Sequence, residues 1–319
     1  MSSGDTTEKS ADAKEGELLQ DLLVKTSRTF ALAIPLLPPP TLREVTVAYL
    51  LFRIADTFED ASILWNQREQ RAALSDFVDL LRQPSMERAK GLADSWCSHP
   101  PTKHAGYLEL LERTPEVLAS FMALAPRARE VVGHHTIRTA EGMSSVVERT
   151  GSDGVLRLAS VQDIREYCYI VAGIVGEMLT DLFLLDRPHL ESVADYLKDR
   201  AAQFGEGLQL VNILKDSAGD VVEGRDYLPT EIDRADFFDL ARSDLSAATE
   251  YTLAIQEAGG PDGLVLFTGL PVELAWATLA KVEREGPGAK IGRPQVFAIH
   301  ARIRKAVRRG RPAVRHPSA

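Results

Sequence analysis

The chain has 319 residues, 45% of them hydrophobic, and a net charge of −9. That is apolar material for one large core or two smaller ones, and the acidic balance argues against general nucleic-acid binding. Two cysteines without a C-x-x-C spacing, Cys97 and Cys168, argue against a disulfide framework or a zinc site and fit a reducing, cytoplasmic compartment.

Taken in chain order, residues 1–17 are polar and lack the apolar run of a signal peptide; they are read as a disordered leader. A helical domain is expected over 18–300. "LLVKTSRTFALAI" gives way to "PLLPPP", which must stop a helix. "TLREVTVAYLLFRIADTFED" restarts one, with Thr41 and Glu44 spaced as a capping box. "ILWNQREQRAALSDFVDLL" has helical periodicity, and "YLELLERTPEVLASFMAL" reads as two helices around a proline-marked break. "RAREVVGHHTIRTAEGMSSVVER" continues the pattern and "TGSDG" is a loop. "SVQDIREYCYIVAGIVGEMLTDLFLL" opens on a second capping box, Ser160 with Asp163, and runs long and apolar. "ADYLKDRAAQFGEGLQLVNILKD" is a further long helix ending near "EGRDYLP", and two or three more follow residue 235. Alternating strand patterns are missing, as is any linker that would split the chain, so the expected fold is all-α, a single-domain helical bundle.

No stretch of about 18 uncharged apolar residues occurs, so no membrane-crossing helix is predicted. "GLVLFTGLPVELAWATLA" comes nearest and is cut by Pro271 and Glu273. Residues 301–319 carry seven Arg or Lys and no acid. This basic tail is read either as a solvated, frayed end or as a peripheral contact with an anionic membrane, where each basic residue contributes about 1 kcal/mol.

The chemistry concentrates in two acidic ladders. In "FRIADTFEDA", Asp56, Glu59 and Asp60 fall at i, i+3 and i+4 behind an apolar run. On a helix they share one face, and each like-charged pair costs roughly 0.2–0.5 kcal/mol even when exposed. Asn212, Asp216 and Asp220 recur at i, i+4 and i+8 among Leu210, Val211, Ile213 and Leu214. Facing ladders would repel unless a cation bridged them. All-oxygen ligands suit Mg²⁺, which binds through one or two carboxylates plus substrate phosphates. The cations Arg28, Arg53, Lys215 and Arg225 lie beside the ladders, as a diphosphate would require.

At this point the chain resembles the squalene/phytoene synthase family. "SRTFALAI", "YLLFRIADTFED", "EYCYIVAGIVGEMLTDLF" and "QFGEGLQLVNILKDSAGDVVEGRDYLP" carry the resemblance, and "DTFED" looks more like the squalene synthase form of its motif. The resemblance implies an isoprenoid synthase-type bundle around a central apolar cavity. It implies Mg²⁺ ligation by Asp56 and Asp60 with Glu59 alongside, and by Asp216 and Asp220 supported by Asn212 and Gln209. Ser27, Arg28, Thr29, Arg53, Lys215 and Arg225 would bind phosphate oxygens. Tyr49, Arg53 and Tyr167 would be catalytic. Phe30, Val171, Ile174 and Val175 would line the prenyl pocket, with Gly173 and Gly176 keeping it open. Two positions depart from the family pattern, Ala61 and Gly219, where further acids often stand.

The implied reaction joins two molecules of farnesyl diphosphate head to head, through presqualene diphosphate, to squalene. No G-x-G-x-x-G follows a strand, so NADPH as reductant rests on the resemblance alone. Alternatives are a phytoene or dehydrosqualene synthase with the same first half-reaction, a class I terpene cyclase, and a noncatalytic family member.

Overall fold

The computed structural model describes residues 4–27, 29–151, 155–222, 225–228 and 233–316, the side chains of 4–12, 218–222, 225 and 226 excepted. Its helices are α1 (Gly4–Thr26), α2 (Phe30–Ala33), α3 (Thr41–Glu59), α4 (Gln67–Arg82), α5 (Met86–Ser98), α6 (Ala105–Glu112), α7 (Thr114–Met122), α8 (Pro126–Glu148), α9 (Val161–Cys168), α10 (Ile174–Asp186), α11 (Ala194–Val222), α12 (Arg234–Glu257), α13 (Asp262–Glu285) and α14 (Arg293–Val307). Among the described residues the only strands are two-residue pieces, β1 (Leu156–Arg157) and β2 (Arg225–Asp226), paired in parallel. The all-α expectation holds. The loop "TGSDG" lies mostly outside the described residues.

Local chemistry explains where the helices start. Asn66 accepts from the Glu69 N–H while the Glu69 carboxylate accepts from the Asn66 N–H, a complete capping box for α4. Ser85, His104 and Asp233 cap α5, α6 and α12. Ser160 caps α9 by accepting from the Asp163 N–H, as expected. The expected box at Thr41 does not form. Thr41 is already helical, and its hydroxyl donates to Asp186 at the end of α10. Glu44 is buried instead of reaching back to the helix start.

Three further expectations differ from the structure. Residues 4–17, read as a disordered leader, belong to α1. The boundary placed at 300 falls inside α14, and the tail beyond it is not frayed: Ala313 and Val314 are fully buried. The α13 helix runs through Pro271, a position buried in the core. The stretches Val161–Asp186 and Asp262–Glu285 are long and apolar enough to cross a membrane by length and composition, but 56% and 67% of their most apolar windows are buried inside the protein.

The long helix α11 is the spine. It packs on α12, α10 and α13, while α3 packs on α8 and α4. One apolar core joins α1, α3, α4, α8, α10 and α13, and a second gathers α9, α11, α12 and the end of α13. Between α9 and α10 the chain makes one π-helical turn, Tyr169–Gly173. Such a bulge rotates the side chains beyond it relative to those before it, and it recurs at functional sites.

Several carboxyls are buried in this frame. Glu44 is pushed up to about 7 by burial and by Asp186. Glu206 and Asp244, on α11 and α12, share one cation, Arg165, at 3.7 and 4.0 Å. Burial pushes Glu206 to about 7 and Asp244 to about 6. Each native value lies above the unfolded one, so between about pH 4 and 7 the native state holds more protons. Stability must therefore fall as pH rises through that window. We expect the thermal midpoint to be several degrees higher at pH 5.5 than at pH 8, and the Glu44→Gln, Glu206→Gln double variant to flatten the difference. A wild-type midpoint that rises with pH would contradict this.

Candidate active site

Two chambers meet in the middle of the bundle. The first is apolar and holds about 940 Å³ of empty space, mouth included; Phe30, Tyr49, Phe52, Val171, Val175, Phe204, Leu208 and Phe267 are among its walls. The second holds about 910 Å³ of empty space, mouth included, and is walled by Asp56, Glu59, Asp60, Tyr167, Ile213, Asp216 and Tyr227. Arg53, Asp56, Val171, Gln209 and Asn212 wall both, so the chambers adjoin there.

The first ladder sits at the end of α3. Asp56 and Glu59 are in its last turn, and Asp60 is the C-cap that begins a 3₁₀ turn, Asp60–Ile63. A helix C-terminus carries partial negative charge, so the backbone adds to the burden of the three acids. Asp56 is half-buried, and its carboxyl is pushed up to about 6 by burial and by Asp60, against the pull of Arg53. Arg53 lies 3.2 Å from Asp56 and bonds the Tyr49 hydroxyl at 3.4 Å. Tyr49 donates to the Thr26 carbonyl at 2.9 Å and packs on Phe30 at 5.9 Å. Among the described residues the buried Arg53 Nε has no hydrogen-bond partner.

The second ladder lies along α11. Lys215 donates to the Asn212 amide oxygen at 3.0 Å and lies 3.1 Å from Asp216. The loop between α13 and α14 covers this end: the Gly288 N–H donates to the Lys215 carbonyl, and Lys290 lies 4.0 Å from Asp216. Opposite, Tyr167 and Tyr227 stack with ring centres 4.8 Å apart and share a 2.8 Å hydrogen bond between their hydroxyls. Burial, with Glu59 the next cause, pushes the Tyr167 phenol well above its usual range, so it stays protonated.

A match to the squalene/phytoene synthase family model spans residues 23–252. The chain belongs to this family. A squalene synthase of Eremothecium gossypii is 30% identical over 230 residues, covering 72% of this chain and 48% of the relative. The squalene synthase ERG9 of Saccharomyces cerevisiae is 32% identical over 218 residues, 66% of this chain and 45% of the relative. The chain thus spans about half the length of the curated relatives it matches. A solved structure of TcSQS with the ligand BPH1237 superposes with a TM-score of 0.71 at 24% identity, over 92% of this chain and 86% of that one, which shows the fold.

In this family member, most of the residues singled out in the sequence fall in one place. Tyr49, Arg53, Asp56, Phe30, Val171, Val175 and Gln209 wall the apolar chamber or its junction, and Glu59, Asp60, Asn212, Asp216 and Tyr167 the acidic one. Ser27 and Thr29 wall neither. The Ser27 hydroxyl accepts from the Phe30 N–H at the start of α2, and Thr29 is exposed. Ile174 is buried away from both chambers. Gly176 walls the apolar chamber, and a Cβ on Gly173 would meet the Tyr169 ring at 2.8 Å and the Glu206 carboxylate at 3.1 Å. A Cβ on Gly176 would lie 1.9 Å from the Ala201 carbonyl oxygen, so this glycine lets α10 touch α11. Arg28 and the side chains of Asp220 and Arg225 lie outside the described residues.

The sequence reading did not single out Tyr227 or Tyr107. Tyr227 sits inside "EGRDYLP", where no spacing marks it. Tyr107, from α6, places its ring 5.4 Å from the Arg53 guanidinium. Only tertiary packing brings it there. Phe204 and Phe267 were equally unmarked, since buried aromatics on helices are ordinarily core.

Among the described residues no group of three or more His, Cys, Asp or Glu is gathered closely enough to hold a metal ion. Asp56 lies against Arg53, and Asn212 and Asp216 against Lys215. The donor chemistry nevertheless fits a hard cation: carboxylates and amides only, at a helix C-terminus, with burial and the neighbouring Asp60 holding Asp56 above its usual range. Asp56, Glu59, Asp60, Asn212 and Asp216 are the donors that would hold Mg²⁺.

Proposed function

We propose that the protein condenses two farnesyl diphosphates head to head to presqualene diphosphate and reduces that, with NADPH, to squalene. The junction of a carboxylate-walled chamber with an apolar one, in a chain of this family, is the observation that carries the reading. Asp56, Glu59, Asp60, Asn212, Asp216 and Asp220 are assigned to Mg²⁺, which when bound supplies positive charge to the diphosphate leaving group.

The other steps belong to the chain's own residues. Arg53 and Lys215, with Arg28 and Arg225, hold phosphate oxygens. The carbon–oxygen bond of one farnesyl diphosphate breaks, and the diphosphate leaves with the electron pair. Phe30, Val171, Val175, Phe204 and Phe267 keep water from the allylic cation and hold the second prenyl chain against it. Bond formation closes a cyclopropane as one proton is lost. In the second half-reaction the remaining diphosphate leaves and the carbon skeleton rearranges; NADPH, when bound, would supply the hydride that quenches the final cation. Tyr167, held neutral and bonded to Tyr227, lines the cavity without adding an anion that would trap the cation. Tyr49 fixes Arg53 beside the reacting carbons. A cytoplasmic location with peripheral membrane contact completes the reading.

The test is product analysis of the purified protein with farnesyl diphosphate and Mg²⁺, with and without NADPH. Squalene formed only with NADPH is expected. Presqualene diphosphate alone would remove the second half-reaction, and a dehydro product or turnover of a longer prenyl donor would favour the phytoene or dehydrosqualene type. No turnover at all would overturn the enzymatic reading.

A further inference from the structure

The α14 helix has two unlike sides. Val296, Ile299, Ile303 and Val307 pack toward α13 and the core. On the other side Phe297, Ala301, Arg304 and Arg308 fall at i, i+4, i+7 and i+11, one stripe along the helix. All four are exposed, and Phe297 is 65% exposed, an isolated large ring in water. Lys305, Arg309 and Arg311 flank the stripe and are exposed too. Among the described residues none of Arg304, Lys305, Arg308, Arg309 or Arg311 has an ion-pair partner. Arg302, by contrast, pairs with Glu273 on α13.

The surface is rigid rather than a loose tail. The Gln256 amide donates to the Arg311 carbonyl and its oxygen accepts from the Ala313 N–H, both at 2.8 Å. The Arg315 N–H donates to Glu273. Ala313 and Val314 are fully buried, with Val314 packed against Gly269. At its other end, α14 follows the loop whose Lys290 approaches Asp216 at the mouth of the acidic chamber.

We propose that this face of α14 docks on an anionic lipid bilayer, Phe297 entering the headgroup boundary and Arg304, Lys305, Arg308 and Arg309 meeting lipid phosphates. Charge complementarity selects the partner. A chain of net charge −9 concentrates unpaired cations on one fixed face, which draws it to a negative surface in a defined orientation. The net charge of −9 disfavours a nucleic acid, and the exposed ring fits the apolar boundary that a bilayer offers. Docked so, the protein holds the loop at the chamber mouth close to the membrane. The inference stands on α14 itself and does not need the proposed reaction.

Co-sedimentation of the full chain with phosphatidylcholine vesicles, with and without phosphatidylglycerol, tests it in the absence of substrate. Binding only to the anionic vesicles is expected, and it should weaken as salt is raised. Each charge contributes about fivefold, so Arg304→Gln with Arg308→Gln should weaken binding about 25-fold. Phe297→Ser should weaken it about tenfold. Circular dichroism of each variant must match the wild type, since these side chains face water. Absent binding, equal binding to neutral vesicles, or tighter retention by duplex DNA than by vesicles would overturn the proposal. A protein that forms squalene but binds no vesicle loses only this surface; one that binds vesicles but turns nothing over loses only the reaction.

Discussion

Asp56→Asn is expected to lower turnover of farnesyl diphosphate by about 10²–10³-fold, the usual loss when one group opposing transition-state charge is removed. It should leave the helical fold intact. Two effects on stability offset each other. The carboxyl is pushed up to about 6 by burial, so the ionised group is a burden that an amide relieves. Against this, Arg53 loses its 3.2 Å ion pair and would be left half-buried with Tyr49 and Tyr107. The thermal midpoint should therefore move little. The decisive second readout is ligand-linked stability. Mg²⁺ with inorganic diphosphate at about 100 times the dissociation constant should stabilise the wild type by about 2.7 kcal/mol, and the variant far less. Full activity in Asp56→Asn, or equal stabilisation of the two proteins, would remove Asp56 from the metal assignment.

The acidic ladders were legible because they violate an expectation. Charged residues are almost never placed against apolar backgrounds without a partner, so Asp56, Glu59 and Asp60 behind "VTVAYLL" demanded an explanation. The same logic found Asn212 and Asp216, whose i, i+4 spacing puts them on one face of α11. What the sequence could not convey was the meeting of elements distant along the chain. Tyr107 reaches Arg53 from α6, and Tyr227 reaches Tyr167 across 60 residues. Neither carries a local signal. Thr41 was misread for a related reason. A Thr with a Glu three residues on fits a capping box locally, but Asp186 of α10 offers the hydroxyl a tertiary partner, and burial holds Glu44 away from the helix start. Of the two readings of the tail, the frayed end fails because a run of cations looks solvated, while the two small apolar residues that pin it, Ala313 and Val314, form no pattern.

Gly205→Ala is expected to destabilise the protein by about 3 kcal/mol, the upper end for overpacking. The contact is with backbone, which cannot rotate away. A Cβ on Gly205 would lie 1.9 Å from the Ala172 carbonyl oxygen and 3.1 Å from the Gly173 nitrogen, and one on Gly176 1.9 Å from the Ala201 carbonyl oxygen. The two glycines thus face each other's helices reciprocally, and α11 can be relieved only by moving away from the π turn and α10. That movement has a functional reading. The π turn and α10 carry Val171 and Val175, and α11 carries Gln209, Asn212 and Asp216, so their separation sets the width of the junction between the chambers. Activity should fall together with the thermal midpoint. Gly91 provides the control: it is exposed in α5 with nothing within 4 Å of a Cβ, so Gly91→Ala should stabilise by about 0.5–1 kcal/mol through helix propensity. The same chemical change then gives opposite signs at the two sites. A Gly205→Ala protein with wild-type midpoint and wild-type turnover would mean that the α10–α11 contact is slack, and that the chamber width is set elsewhere.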